Sequence, residues 1–104
     1  MITESSRLYI ASRVTDWAGN NSYRVAWLAE CAARHLHGDD GDLGPDDQAV
    51  NDHARSHQIG RVLSAFTVPT HLAPAPEDDT HVWVVTDNLD DRDTATTILR
   101  PTDY

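Results

Sequence analysis

Four residues at one junction of this chain carry the side chains that hold divalent metals: His35, His37, Asp39 and Asp42. Imidazole nitrogens and carboxylate oxygens are the donors of hydrolytic and structural metal sites. Gly38 and Gly41 lie between them and permit a turn that folds back over a helix end. Three ligands brought together with one open position would make a metal-dependent hydrolase or nuclease-like enzyme. In that reading His35, Asp39 and Asp42 hold the metal, and Arg92 orients an anionic substrate. The spacing matches no established template. There is no His-Glu-x-x-His, and a calcium loop begun at Asp40 fails at Gly44 and Pro45. The simpler account is a helix end followed by a turn, with imidazoles favourably placed near the last carbonyls.

Two further sets stand beside it. His53 and His57 are one helical turn apart and can share a face, but no acid or cysteine joins them. Asn51, Asp91, Arg92, Thr96 and Thr97 would offer an amide, a carboxylate, a guanidinium and hydroxyls if a helix packed beside the sheet edge. The plainer role for Asp91 and Arg92 is to tie a turn to its neighbour. Nucleophilic catalysis has little support. Ser64 sits mid-strand without a Gly-x-Ser-x-Gly elbow, Cys31 falls on the apolar side of a helix, and the chain contains no lysine.

Charge is the strongest compositional signal. Eight arginines face seventeen acids, a net charge of −9. The acids gather at Asp39, Asp40, Asp42, Asp46, Asp47 and Asp52, and again at Glu77, Asp78, Asp79, Asp87, Asp90, Asp91 and Asp93. Such a field repels nucleic acid and anionic membranes and attracts basic protein surfaces. Direct nucleic-acid binding and membrane binding are therefore not expected. No apolar run approaches the roughly 18 residues of a membrane span, and no basic-then-apolar leader opens the chain, so a cytoplasmic protein is expected. One cysteine excludes an internal disulfide and a cysteine-based zinc site.

At 104 residues the chain is expected to form a single domain over 1–104. Three parts are expected: a poorly defined 1–21 segment, a helical part over 22–60 and a β-meander over 61–104. From Leu8 to Trp17 the apolar residues Ile10, Val14 and Trp17 recur at helical spacing, while Leu8 and Ile10 also alternate as in a strand. A short helix is preferred there. Asn21 or Ser22 can cap a second helix with an apolar stripe of Val25, Leu28, Ala29, Ala32 and Leu36, widened by Trp27 and Cys31, ending near His37 with Gly38 in the left-handed position. Pro45 opens a third helix, with Asp46 and Asp47 in its first turn and a thin apolar face. Strands follow at 61–68, 81–86 and 95–99, with Trp83 central and packed against a helix. Proline and acid make 69–80 a long hairpin loop. The fold class is α+β: two or three helices on one face of a three-stranded antiparallel meander.

These residues also carry a resemblance. The chain is similar to small bacterial proteins that travel with plasmids and other mobile elements, some labelled plasmid-related and some labelled a type I restriction subunit. Their pattern is matched at Ala33-Arg34-His35, Gly38-Asp39, Gly41-Asp42, Asp47, Asn51, Arg61 to Ala65, Trp83, Thr86, Asp91-Arg92, Thr96-Thr97, Pro101 and Tyr104. Asp40 and Gln48 stand where that family has tryptophan, and Phe66 replaces a tyrosine. The resemblance implies architecture and genomic context and brings no catalytic residues.

Two functions are carried forward. The first is an acidic accessory protein of mobile elements that binds a basic protein surface, in its sharper form as a mimic of nucleic-acid charge. The second is the metal-dependent hydrolase built on His35, Asp39 and Asp42. No cofactor is the simpler expectation, with a divalent metal as the alternative. A short terminal strand leaves a sheet edge to protect, so a homodimer is expected.

Overall fold

The computed structural model describes residues 7–72, 80–87, 89 and 94–103. Three helices and a four-stranded mixed sheet make an α+β fold. The elements run β1 (Arg7–Ile10), α1 (Ser12–Ala18), α2 (Ser22–Leu36), α3 (Pro45–His57), β2 (Val62–Thr67), β3 (His81–Asp87) and β4 (Ala95–Leu99). Short 3-10 turns occupy Thr70–Leu72 and Pro101–Asp103.

The sheet order is β1-β4-β3-β2. The antiparallel meander of β2, β3 and β4 is present. The expected three-stranded sheet is incomplete, however, because β1 adds to it parallel to β4, with Leu8 opposite Thr96 and Ile10 opposite Ile98. The helix expected over Leu8 to Trp17 is therefore a strand and a helix in succession. Ala11 divides them with an extended backbone, φ −59° and ψ 144°. The strand forms because its hydrogen-bond partner comes from the other end of the chain. The terminal strand β4 is consequently interior, and the two edges are β1 and β2.

Helix α2 has the ends its sequence predicts. The Asn21 side chain accepts from the N–H groups of Tyr23 at 3.0 Å and Arg24 at 3.2 Å. Gly38 takes φ +91°, and the next N–H, from Asp39, returns to the Arg34 carbonyl at 2.9 Å. Leu28, Cys31 and Ala32 of its stripe are buried as expected, but His35 is buried with them, whereas Val25 and Ala29 are exposed. Pro45 opens α3, and Gln58 ends it in the left-handed region at φ 52°.

Register decides what each face carries. Val62, Ser64, Phe66, Val82, Val84, Thr86, Thr96 and Ile98 share one face. Phe66, Val82, Val84 and Ile98 of this face pack with Val14, Leu28, Cys31 and Ala32, so α1 and α2 cover this side. Arg24 locks the two helices by donating to the Trp17 carbonyl at 2.7 Å and the Leu72 carbonyl at 2.9 Å. Helix α3 departs from the one-face arrangement. Only Asn51 and Ala54 are buried on it, and it flanks the β2 edge, where Ala54 clusters with Val62 and Leu89. No helix among the described residues is long and apolar enough to cross a membrane.

Candidate functional site

His35 lies at the centre of the polar constellation, and it is fully buried. The phase of α2 sets its ring in the apolar stripe, facing the hydroxyl-bearing positions of β2 and β3. Its Nδ1 is 2.7 Å from Ser64 Oγ and its Nε2 is 2.7 Å from Thr86 Oγ1. Thr86 Oγ1 in turn lies 2.7 Å from Thr96 Oγ1.

The protons in this chain can be placed. Ser64 donates its hydroxyl proton to the Asp39 carbonyl at 2.8 Å. Its oxygen must then accept from Nδ1–H of His35. The remaining ring nitrogen, Nε2, accepts from Thr86, and Thr96 donates to Thr86. Every hydroxyl and both ring nitrogens are satisfied by a neutral imidazole. Burial above all, and the nearby Arg55 charge with it, push the His35 pKa down to about 4 against a partial offset from Asp40.

A serine 2.7 Å from a histidine has the separation of a nucleophile and its base. Here the proton runs the other way, since the ring donates to Ser64 while the hydroxyl proton is held by a backbone carbonyl. Both residues are at 0 % exposure, so no substrate reaches them. The arrangement joins α2 to three strands and does not support acyl transfer.

The other residues of the first set are committed elsewhere. Asp39 accepts from the Gly41 N–H at 2.8 Å and pairs with Arg34 at 2.8 Å. Those bonds, the Gly41 N–H first, hold its pKa below the usual carboxylate value. Asp42 accepts from the Thr67 hydroxyl at 2.6 Å and the Thr67 N–H at 2.8 Å, and these lower its pKa too. His37 is exposed and ends α2. His35, His37, Asp39 and Asp42 therefore do not converge. Among the described residues no group of three or more His, Cys, Asp or Glu side chains is placed to hold a metal ion.

The second and third sets separate as well. The His53 and His57 rings stack at 4.1 Å, and His57 Nδ1 meets the His53 carbonyl at 2.9 Å. Asp91 and Arg92 fall outside the described residues. Thr96 is spent on Thr86, and Thr97 points to the opposite face of β4. Asn51 serves the β2 edge, with Nδ2 donating to the Leu63 carbonyl at 2.7 Å and Oδ1 accepting from the Leu63 N–H at 3.2 Å. The 39–42 loop continues this edge. The Asp40 carbonyl accepts from the Ala65 N–H at 3.2 Å, and the Asp42 N–H donates to the Ala65 carbonyl at 2.7 Å. Arg55 reaches back from α3 to Asp40 at 2.6 Å. The acids that suggested a metal thus belong to a loop that covers an edge strand, while His35 is a core residue.

One surface remains open beside this edge. Leu43, Val50, Leu63 and Trp83, with Asp47, Asn51 and Arg61, line a cleft of about 300 Å³ between α3 and the sheet. Trp83 occupies an interior strand, as expected, but is half-buried at the cleft. Asp46, Asp47 and Asp52 are exposed along α3, and Val50 is 64 % exposed among them. Single-residue reasoning missed this cleft because Leu43, Val50 and Trp83 belong to three separate elements. It missed the hydroxyl network although a signal was present: Ser64, Thr86 and Thr96 are polar positions within otherwise aliphatic strands. Buried hydroxyls require a partner, and His35 falls one helical turn from Cys31.

No family model, no curated protein and no solved structure matches this chain.

Proposed function

We propose that this protein is a non-enzymatic accessory protein that binds another protein through its acidic α3 surface. The observation that carries this reading is the pairing of exposed Asp46, Asp47 and Asp52 with a cleft whose apolar part is formed by Leu43, Val50, Leu63 and Trp83. Carboxylates steer a basic partner by long-range attraction, and an apolar pocket supplies the short-range contact that charge alone lacks. The resemblance to mobile-element proteins favours a partner encoded near such elements. In the sharper version, the α3 carboxylates take the place of nucleic-acid phosphates in the basic groove of a restriction or regulatory protein. The hydrolase alternative draws no support from His35, Asp39 and Asp42, each of which is occupied by structural hydrogen bonds.

The test uses a basic, groove-bearing DNA-binding protein with its labelled duplex. The acidic protein should release duplex from that groove, and release should weaken steeply with added salt. Asp46→Asn, Asp47→Asn and Asp52→Asn combined should abolish the effect while the chain stays folded. Near-stoichiometric metal in protein purified without a histidine tag, or duplex binding by the isolated protein at physiological salt, would overturn the reading.

A further inference from the structure

The two edges of the sheet are finished differently. Asn51, the Asp40 and Asp42 backbone and the Asp42 carboxylate cover β2. At the other side β1 ends the sheet, and no described strand pairs with its far edge. The Ala11 N–H donates to the Ile98 carbonyl at 2.9 Å. Strand alternation then turns the backbone groups of Tyr9 towards β4 and those of Leu8 and Ile10 outward.

The side chains at this edge are apolar as well. Leu8, Tyr9 and Ile10 are 52 %, 49 % and 45 % exposed, and Val25 on α2 is 51 % exposed. Leu8, Ile10, Val25, Ala29 and Ile98 line a groove of about 220 Å³ between β1 and α2. Edge strands of monomeric proteins are ordinarily blunted by charge, proline or a covering loop. Within β1 only Arg7, at its start, is charged.

We propose that β1 pairs antiparallel with β1 of a second copy across a two-fold axis, which joins two sheets into one and closes the groove. The strand is self-complementary for this operation. Antiparallel pairing keeps Leu8 and Ile10 of both copies on the groove face and both Tyr9 side chains on the other. Charge selects the edge. A chain of net charge −9 repels its own copy. Over residues 7–30 together with Asp103, which pairs with Arg13 at 3.7 Å, three arginines stand against three acids, so this side is close to neutral. The sheet order sets the 39–42 loop and α3 beside β2, at the far edge. Pairing through β1 therefore holds the two acidic surfaces as far apart as the sheet allows. A basic partner is drawn to that far edge, which leaves β1 to a copy of the chain. Four residues per strand make a small interface, so the dimer is weak, with a dissociation constant on the order of micromolar to tens of micromolar.

Sedimentation equilibrium of the full chain from micromolar to millimolar concentration, at low and high salt, tests this together with amide hydrogen exchange. The expected result is a dimer that tightens with salt, because screening relieves the repulsion between copies. That sign is opposite to the one expected for the basic partner, so the two proposals fail separately. The Leu8 and Ile10 amides should slow roughly tenfold as concentration rises, while Tyr9 should not change. Leu8→Lys and Val25→Glu should each weaken the dimer by about tenfold or more. Ile59→Lys, an exposed apolar position after α3, should leave it intact. Val25 lies on a helix surface away from the strand ladder, so Val25→Glu decides the matter even where Leu8→Lys unfolds. A chain that stays monomeric at millimolar concentration overturns the proposal, as does a dimer indifferent to Val25→Glu or one that weakens with salt.

Discussion

The Asn51 carboxamide meets Leu63 as a neighbouring strand would. Its Nδ2 donates to the Leu63 carbonyl at 2.7 Å, and its Oδ1 accepts from the Leu63 N–H at 3.2 Å. One side chain of α3 thus satisfies both edge groups of a β2 residue, and it also donates to Asp40 Oδ1 at 3.0 Å. Asn51→Ala should cost about 2 kcal/mol, since it leaves part-buried backbone groups unpaired. Asn51→Asp should cost more at neutral pH, because it faces a carboxylate with the Leu63 carbonyl and Asp40. Urea unfolding measures both, and parental stability in the alanine variant would show that water serves this edge equally well.

Gly41 is required by contact as well as by conformation. It has φ +69°, and a Cβ there would overlap the Ala65 carbonyl oxygen and lie 3.0 Å from the Phe66 ring. Gly38 also has positive φ, +91°, but a Cβ there meets nothing within 4 Å. Gly38→Ala should cost about 1 kcal/mol, the conformational penalty alone. Gly41→Ala should cost about 3 kcal/mol or more, since the loop must lift from β2. Equal melting temperatures for the two variants would remove close approach as the cause.

The buried imidazole gives stability a defined pH dependence. Unfolded, His35 titrates near its ordinary 6.5, and folded it titrates at about 4. Between those values the unfolded chain binds the extra proton, so stability rises with pH there. The contribution is complete above about 6.5 and is lost as pH falls towards 4, amounting to roughly 3 kcal/mol. The lowered pKa values of Asp39 and Asp42 act further down, where the folded carboxylates take up protons and their bonds weaken. Urea midpoints measured from pH 7.5 to pH 4 should trace this slope.

Replacing His35 should flatten that slope, so the loss of stability is largest at neutral pH and shrinks as pH falls towards 4. His35→Ala leaves a cavity and removes the acceptor of the Thr86 hydroxyl and the donor to Ser64 Oγ, at a cost of about 3 kcal/mol at pH 7. A variant that kept parental stability at pH 7 would place the network outside the folding core.

Trp83 is paired in register with Ala65 on one side and Leu99 on the other. It is half-buried rather than enclosed, so Trp83→Ala should cost about 2–3 kcal/mol, below the value for a fully buried ring. Thermal melting checks the magnitude, and an unshifted midpoint would mean that the cleft floor contributes nothing to the fold.

Most elements were legible where a local signal exists. Asn21, Gly38 and Pro45 mark helix ends because capping and φ preferences act within a few residues. The strands at 62–67, 81–87 and 95–99 stand out because β-branched runs between turn residues need no distant information. The phase of α2 was less legible. Val25 and His35 differ in hydropathy in the direction opposite to their burial, because the three hydroxyls facing His35 make a polar site inside an apolar core.

By itself the amino-acid order determined the α+β class, the meander, the acidity and the turn chemistry of 38–44, all of which follow from neighbours in the chain. Only the tertiary structure decided that Arg7–Ile10 is a strand, since four residues acquire strand hydrogen bonds only when β4 lies beside them. It also decided the role of the His and Asp cluster. The same imidazole and carboxylates serve a metal, or a core and an edge strand, and the choice rests on which atoms stand within 3 Å. Ser64, Thr67 and Thr86 occupy those positions, and they are separated from the cluster by 25 or more residues of chain.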